Sequence, residues 1–231
     1  METSLKAARN DMAKFMLSYK FALVEMTTKI DILREEYRML HDYNPIEHVN
    51  SRLKSPKSIG QKLEKKGLDM SLELVEQHIH DIAGIRIVCA FEDDIYRVAN
   101  MLCAQRDVKV IDTKDYIAAP KENGYRSLHI IVKIPVFLTD GMREVFVELQ
   151  LRTIAMDFWA SLEHKIYYKY DKAVPSRIQN ELKEAAEQAT ALDNKMARLN
   201  DEINILKELD DTEDTSFGKY IRDFVQSNMK K

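Results

Sequence analysis

No apolar run in this sequence approaches the roughly 20 residues that a membrane span needs. Its first residues, METSLKAARN, lack the apolar centre of a signal peptide. The expected location is the cytoplasm, with no membrane partner. Cysteine is nearly missing: Cys89 and Cys103 are the only two, and neither stands in a CxxC pair. That argues against a disulfide framework or a cysteine zinc site and for buried thiols in a reducing compartment. A surplus of one charge is missing too. The formal net charge is −3, so the molecule as a whole is no general binder of polyanions. Any nucleotide or nucleic-acid site has to be a local basic patch. The pattern GxxxxGKS/T does not occur, so P-loop chemistry is not indicated. Internal repeats and low-complexity tracts are lacking as well.

What is present suits a core-forming chain. Of 231 residues, 45% are hydrophobic and 32% charged, the balance of a protein with a sizeable core and exposed helices. Three segments differ in periodicity. In residues 1–44, apolar side chains fall at Met12, Met16, Tyr19, Leu23, Met26, Ile30, Leu33, Tyr37 and Leu40. Steps of four and three put them on one helix face, and Pro45 disfavours helix at Asn44. Residues 173–231 repeat the device with Ile178, Leu182, Ala185, Ala189, Leu192, Met196, Leu199, Ile203 and Leu206. Each stripe can cover the central domain or a second copy of the chain. Two of them beside one modest domain favour a homo-oligomer. The acidic run from Asp210 to Ser216 reads as a solvated turn before a last short helix.

Residues 45–172 mix strands and helices. IAGIRIVCAF is rich in β-branched residues and reads as a strand, and DDIYRVANMLCAQ as a helix with acids at its favourable end. VKVIDT is a short strand. RSLHIIVKIPV and REVFVELQL, joined by a turn at TDGM, read as an antiparallel pair, and TIAMDFWASLEHKIYYKY as a helix. The expected fold class is therefore α+β, a mixed β-sheet of about five strands packed with helices and flanked by the long terminal helices.

Chemistry-bearing residues cluster in this middle segment. SRLKSPKSIGQKLEKKG holds Arg52, Lys54, Lys57, Lys62, Lys65 and Lys66 against a single acid, Glu64. Ser55-Pro56 starts a helix and Gly67 stops it, with Lys62, Lys65 and Lys66 expected on one face. Alone, this is an ordinary solvated face. With a guanidinium and a metal-binding carboxylate beside it, it becomes a phosphate cradle. Asp81 stands at the mouth of an apolar strand, where a buried carboxylate is costly and a turn residue is the plain alternative. Gly84 points to close backbone approach, and Arg86 places a charge within the strand. Glu148, Gln150 and Arg152 alternate with Val147, Leu149 and Leu151, so an acid, an amide and a guanidinium line one strand face. Mg²⁺ is usually held by one or two carboxylates plus substrate phosphates, and Asp81 and Glu148 are the candidate pair. In KENGYRSLHIIVKI, the Asn123-Gly124 turn leads into Tyr125, Ser127 and His129, which share a face by the period of two.

HDIAGIRIV, ENGYRSLH and VELQLRT, in this order and spacing, resemble the synthetase domain of the RelA/SpoT family, over about Ile46 to Tyr170. Family members make the alarmones ppGpp and pppGpp of the stringent response. The resemblance implies a nucleotidyltransferase-like fold. It implies a diphosphokinase that transfers pyrophosphate from ATP to the 3′-hydroxyl of GDP or GTP and releases AMP. The chain is too short for the hydrolase, TGS and ACT regions of the long members. It therefore resembles the small synthetases, whose flanking helices build a homotetramer.

By motif position, Asp81 would ligate Mg²⁺, and Glu148 would join the metal or activate the 3′-hydroxyl. Arg52 and Arg86 would sandwich adenine, a task suited to flat guanidinium groups. Lys54, Lys62 and Lys65 would hold the ATP phosphates, and Tyr125 would stack on guanine. Lys121, His129 and Gln150 would lie near the guanosine nucleotide's phosphates or ribose. Relatives often carry Arg at the position of Lys65, so a bidentate contact there is in question. Relatives also differ in whether a regulatory nucleotide or single-stranded RNA binds, which adds both as partners to consider. Two other readings compete with this one. An HD-type phosphohydrolase fits the pairs His41-Asp42 and His80-Asp81 but lacks a convincing further ligand set. A non-enzymatic oligomeric RNA-binding protein fits the helices and the basic segment but leaves Glu148 facing phosphates without purpose.

Overall fold

Pro45 ends the first helix as expected. The Asn44 side chain accepts a hydrogen bond from the Ile46 amide at 3.0 Å and turns the chain into a strand. A computed structural model describes the chain at residues 2–41, 43–167 and 174–211. In order the elements are α1 (Glu2–Leu40), β1 (Ile46–Leu53), α2 (Pro56–Glu64), α3 (Leu72–His78), β2 (Ala83–Cys89), α4 (Glu92–Cys103), β3 (Lys109–Asp115), β4 (Leu128–Leu138), β5 (Gly141–Thr153), α5 (Ile154–Tyr167) and α6 (Ser176–Asp211). The five strands form one sheet in the order β1-β2-β5-β4-β3. Only β2 and β5 run parallel; the other pairs are antiparallel.

The expected α+β class and mixed five-strand sheet are what the chain adopts. Two elements escaped the sequence reading. β1 is mostly exposed, so IEHVNSRL shows no apolar alternation to betray it. α3 is seven residues long and buries a single side chain, Val75. α2 also ends earlier than the lysine spacing implied. Lys65 is its C-cap, and Gly67, at φ +69°, reverses the chain. Lys65 and Lys66 thus lie exposed in the closing turn.

One face of the sheet is apolar. Ile85 and Ile87 of β2, Val147 and Leu149 of β5 and Val132 of β4 are all buried there. α1 lays Tyr19, Leu23, Met26 and Ile30 into the same core, and α4 adds Ile95, Val98 and Leu102. The stripe read in α1 is thus spent inside the chain except at its end, where Leu40 is exposed. α6 behaves differently. Its inward side is small or polar, with Ala186 buried and the Thr153 hydroxyl donating to Asp193 at 2.6 Å. Of the apolar stripe expected from the sequence, Leu182 packs inward, whereas Leu192, Met196, Leu199 and Ile203 are exposed. The remainder of the acidic run beyond Asp211, and the short helix expected after it, lie outside the described residues. Among the described residues, no helix is long and apolar enough to cross a membrane.

Leu149 sits fully buried at the centre of the sheet. Leu149→Ala leaves a cavity there and is expected to cost about 2–5 kcal/mol. Urea unfolding followed by circular dichroism measures the difference.

Candidate active site

The sheet's other face carries the polar groups, and strand register lines them up. Across β1, β2, β5 and β4 one row reads Arg52, Gly84, Glu148, Ile131. The next reads Asn50, Arg86, Gln150, His129. Directly paired residues point to the same side, so residues nearly 100 positions apart share one surface. Arg52, Lys54, Asp81, Gly84, Arg86, Glu148 and Gln150 line a cleft of about 340 Å³. Gly84 forms its floor: a Cβ there would meet only the Arg52 carbonyl, at 3.8 Å. A larger side chain would fill the space between Arg52 and Glu148.

Asp81 enters the cleft from the chain just ahead of β2. Its Oδ2 accepts from Lys62 Nζ at 2.6 Å and pairs with Lys54 Nζ at 3.0 Å. Burial pushes this carboxyl up, but the hydrogen bonds and charges of Lys62 and Lys54 outweigh it and hold the group below its ordinary range. Its Oδ1 is buried and has no hydrogen-bond partner. Glu148 is held differently. Burial raises it too, and Asp81's charge adds to that. A hydrogen bond and charge from His129 and a bond from Gln150 Nε2, at 2.9 Å, bring it below the usual value. Both carboxylates are therefore ionised at neutral pH.

These features suit a divalent cation. An ionised, buried carboxylate oxygen without a partner, beside a second ionised carboxylate, is a hard oxygen donor set of the kind Mg²⁺ takes. Among the described residues, no three His, Cys, Asp or Glu side chains gather to hold a metal by themselves. The remaining ligands would have to come from water and substrate. The HD pairing gains nothing from His80, which stacks on Phe146 with ring centroids 4.1 Å apart and bonds the Gln77 carbonyl. Asp42 lies outside the described residues.

The arginines are fixed by a residue the sequence reading missed. Asp157 on α5 pairs with Arg86 Nη1 at 3.1 Å and Arg152 Nη1 at 3.2 Å. In sequence it reads as an acid in a helix's first turn, and only the packing of α5 beside β2 gives it this role. Arg52, by contrast, is exposed on the edge strand and has no ion pair among the described residues. Of the three lysines assigned to phosphates, Lys54 and Lys62 converge on Asp81, while Lys65 stays outside the cleft.

The loop between β3 and β4 supplies an aromatic wall. The Lys121–Gly124 turn closes through the Gly124 amide on the Lys121 carbonyl at 2.8 Å. Gly124 has φ +87°, which favours glycine. Tyr125 follows, bonding His129 Nε2 through its hydroxyl at 2.7 Å and accepting from Arg152 Nη2 at 2.6 Å. His129 Nδ1 lies 3.4 Å from Glu148 Oε1. A continuous polar chain thus links the Tyr125 loop to the cleft. Ser127 is fully buried, donating to the Leu151 carbonyl, so it supports the loop base. Lys121 Nζ sits 4.6 Å and 4.7 Å from the ring centroids of Tyr116 and Tyr125. Tyr116, with no motif around it, is the second residue the sequence reading missed.

Residues 51–173, more than half the chain, match the model of a region found in RelA and SpoT proteins. The chain belongs to the RelA/SpoT family. It is 51% identical over 200 residues to GTP pyrophosphokinase YwaC of Bacillus subtilis, covering 87% of this chain and 95% of that protein. Its structure is similar to that of small alarmone synthetase 2 of Bacillus subtilis, with a TM-score of 0.76, 52% identity and coverage of 83% of this chain and 99% of that one. Small alarmone synthetase 1 of the same organism, solved with its product pppGpp, gives a TM-score of 0.77 at 40% identity, covering 84% and 98%. Within the family fold, the cleft and the Tyr125 loop are adjacent parts of one polar face.

The lowered Asp81 carboxyl has a consequence for stability. Its folded value lies below the unfolded one, so its stabilisation is complete above the ordinary carboxyl range near pH 4. It fades as pH falls through the folded value. Asp81→Asn should cost about 1–2 kcal/mol at pH 7, discounted for the part-exposed Lys62. The gap to the unmutated protein should shrink towards pH 3. Urea titrations at the two pH values measure both effects.

Proposed function

We propose that this protein is an alarmone synthetase, transferring pyrophosphate from ATP to the 3′-hydroxyl of GDP or GTP. The products are ppGpp or pppGpp and AMP. The observation that carries this reading is one cleft in a RelA/SpoT chain. It combines two ionised carboxylates, two arginines and two lysines, with an aromatic loop alongside. The relative solved with pppGpp supports the same nucleotides here.

Arg52 and Arg86 come from adjacent strands in neighbouring rows, a spacing suited to clasping a flat base. Asp157 orients Arg86 for that task, while Arg52 closes from the edge. Lys54 and Lys62 neutralise Asp81 in the free protein. A triphosphate offers the two ammonium groups new partners, and Asp81 with Glu148 are the residues that would hold Mg²⁺. When bound, Mg²⁺ supplies charge neutralisation for the transferred group. Glu148, ionised and tied to His129, accepts the proton of the 3′-hydroxyl as its oxygen bonds the β-phosphorus. The bond from that phosphorus to the α–β bridging oxygen breaks, and AMP leaves. Tyr125 stacks on guanine, with Lys121, His129 and Gln150 on the phosphate and ribose side. Lys65, exposed in the turn that closes α2, would reach the phosphates only by extending from that turn. The setting for this chemistry is the cytoplasm.

The exposed stripe of α6 supports assembly. Leu192, Met196, Leu199 and Ile203 are all at least 45% exposed on one long helix. Contiguous apolar surface of this kind marks a protein–protein contact. A homotetramer buries it. A regulatory nucleotide or RNA would act on that assembly.

Incubation with labelled ATP, Mg²⁺ and GDP or GTP is expected to yield labelled ppGpp or pppGpp. Folded protein that yields neither would refute the reading. Glu148→Gln should keep nucleotide binding and lower turnover by at least about 100-fold. Light scattering should give a tetramer mass at micromolar concentration, and Met196→Asp should reduce it. A monomer mass for the unmutated chain would exclude the assembly.

A further inference from the structure

The Tyr125 loop is irregular, and its own backbone bonds do not fix the ring. The sheet holds the ring's hydroxyl through His129 and Arg152, and the loop behind it leans on α6. Tyr125 packs against a small cluster made by Trp159 and Ala160 of α5 with Leu182 and Ala186 of α6. Trp159 Nε1 donates to the Leu182 carbonyl at 2.9 Å, which ties the two helices together behind the ring. Gly124, next to Tyr125, meets α6 directly. A Cβ placed on Gly124 would lie 2.5 Å from the Ala186 Cβ, well inside van der Waals contact. The approach therefore needs glycine on the loop and a small residue on the helix. Asn123 adds a longer tie at 3.4 Å to Glu163 of α5. Thr153 and Asp193 anchor α6 one to two turns further on.

We infer that α6 is a clamp that sets the guanosine-nucleotide site by holding Gly124 and Tyr125 through Ala186, Leu182 and Trp159. These three are positioning residues: they touch the platform, not the nucleotide. The inference rests on the proposed role of Tyr125 in stacking on guanine. Most of the ATP side stands apart from α6: Arg52 is on β1, Lys54 just past it, Lys62 on α2 and Asp81 ahead of β2, while Arg86 of β2 is linked to the helices only through Asp157 of α5. Loosening the clamp should weaken one substrate and spare the other. A general loss of packing would not discriminate between them.

The test is steady-state kinetics of the full-length protein, with each nucleotide varied in turn. Ala186→Leu forces a larger side chain into the Gly124 contact. It should raise KM for GDP or GTP at least about tenfold, leave KM for ATP within about twofold and change kcat less than about threefold, a stacking loss of the expected order. Ala186→Ser adds a single oxygen to the same contact and should raise that KM by a smaller factor than leucine does. Trp159→Phe keeps a ring but loses the bond to Leu182, and should move the same KM in the same direction by a smaller factor. An unchanged guanosine KM in both Ala186→Leu and Trp159→Phe overturns the clamp, as does an equal rise in both KM values. Hydrogen exchange of residues 121–126 separates the clamp from the proposed reaction. It should speed up at least about fivefold in Ala186→Leu, or in Trp159→Phe if the leucine variant does not fold, with sheet protection unchanged. Unchanged loop exchange overturns the clamp even if synthesis is observed. No synthesis by the unmutated protein, with faster loop exchange in the variant, leaves the clamp standing and refutes the reaction.

Discussion

The parallel pairing of β2 with β5 is the constraint on which this molecule depends. It sets Gly84 beside Glu148 and Arg86 beside Gln150. Parallel neighbours cannot be joined by a tight turn, so the chain leaves β2 through α4, lays down β3 and β4 at the far edge and returns along β5. The detour puts the Tyr125 loop at the mouth of the sheet, next to the cleft. A register slip of one residue on β5 would turn Glu148 and Gln150 into the core and Leu149 out of it. The alternation of apolar and polar residues along β5 makes that slip costly. The same pattern that stabilises the sheet therefore aims the catalytic face.

Charge in the cleft is balanced by pairs that a substrate can exchange. Lys54 and Lys62 hold Asp81, His129 and Gln150 hold Glu148, and Asp157 holds Arg86 and Arg152. Asp81 and Glu148 are kept ionised by these neighbours instead of being neutralised by protonation. A protein with net charge −3 thereby presents a site with more cationic side chains than anionic ones.

The two long helices divide their labour. α1 turns its apolar stripe onto the sheet. α6 turns small and polar residues inward, clasps the Tyr125 loop and leaves its apolar stripe facing outward. Of its inward residues, Ala186 and Asp193 lie one position past Ala185 and Leu192 of the apolar stripe, and Leu182 belongs to the stripe itself. A single helix therefore supports the Tyr125 loop on one side and presents an apolar surface on the other.

Local patterns by themselves determined the α+β class, four of the strands, the long helices and the Asn123-Gly124 turn, because each is written in a period of two, a period of 3.6 or a glycine. The three motifs likewise determined the family and named Asp81, Arg86, Tyr125 and Glu148. β1 was illegible because an exposed edge strand needs no apolar alternation. Asp157 and Tyr116 were illegible because nothing local marks them. Only the tertiary structure decided that Lys62 reaches Asp81 while Lys65 does not, that one acid orients two arginines, and that Ala186 fits against Gly124. These depend on where separate elements meet, and sequence spacing carries no distance between residues that the chain brings together only on folding.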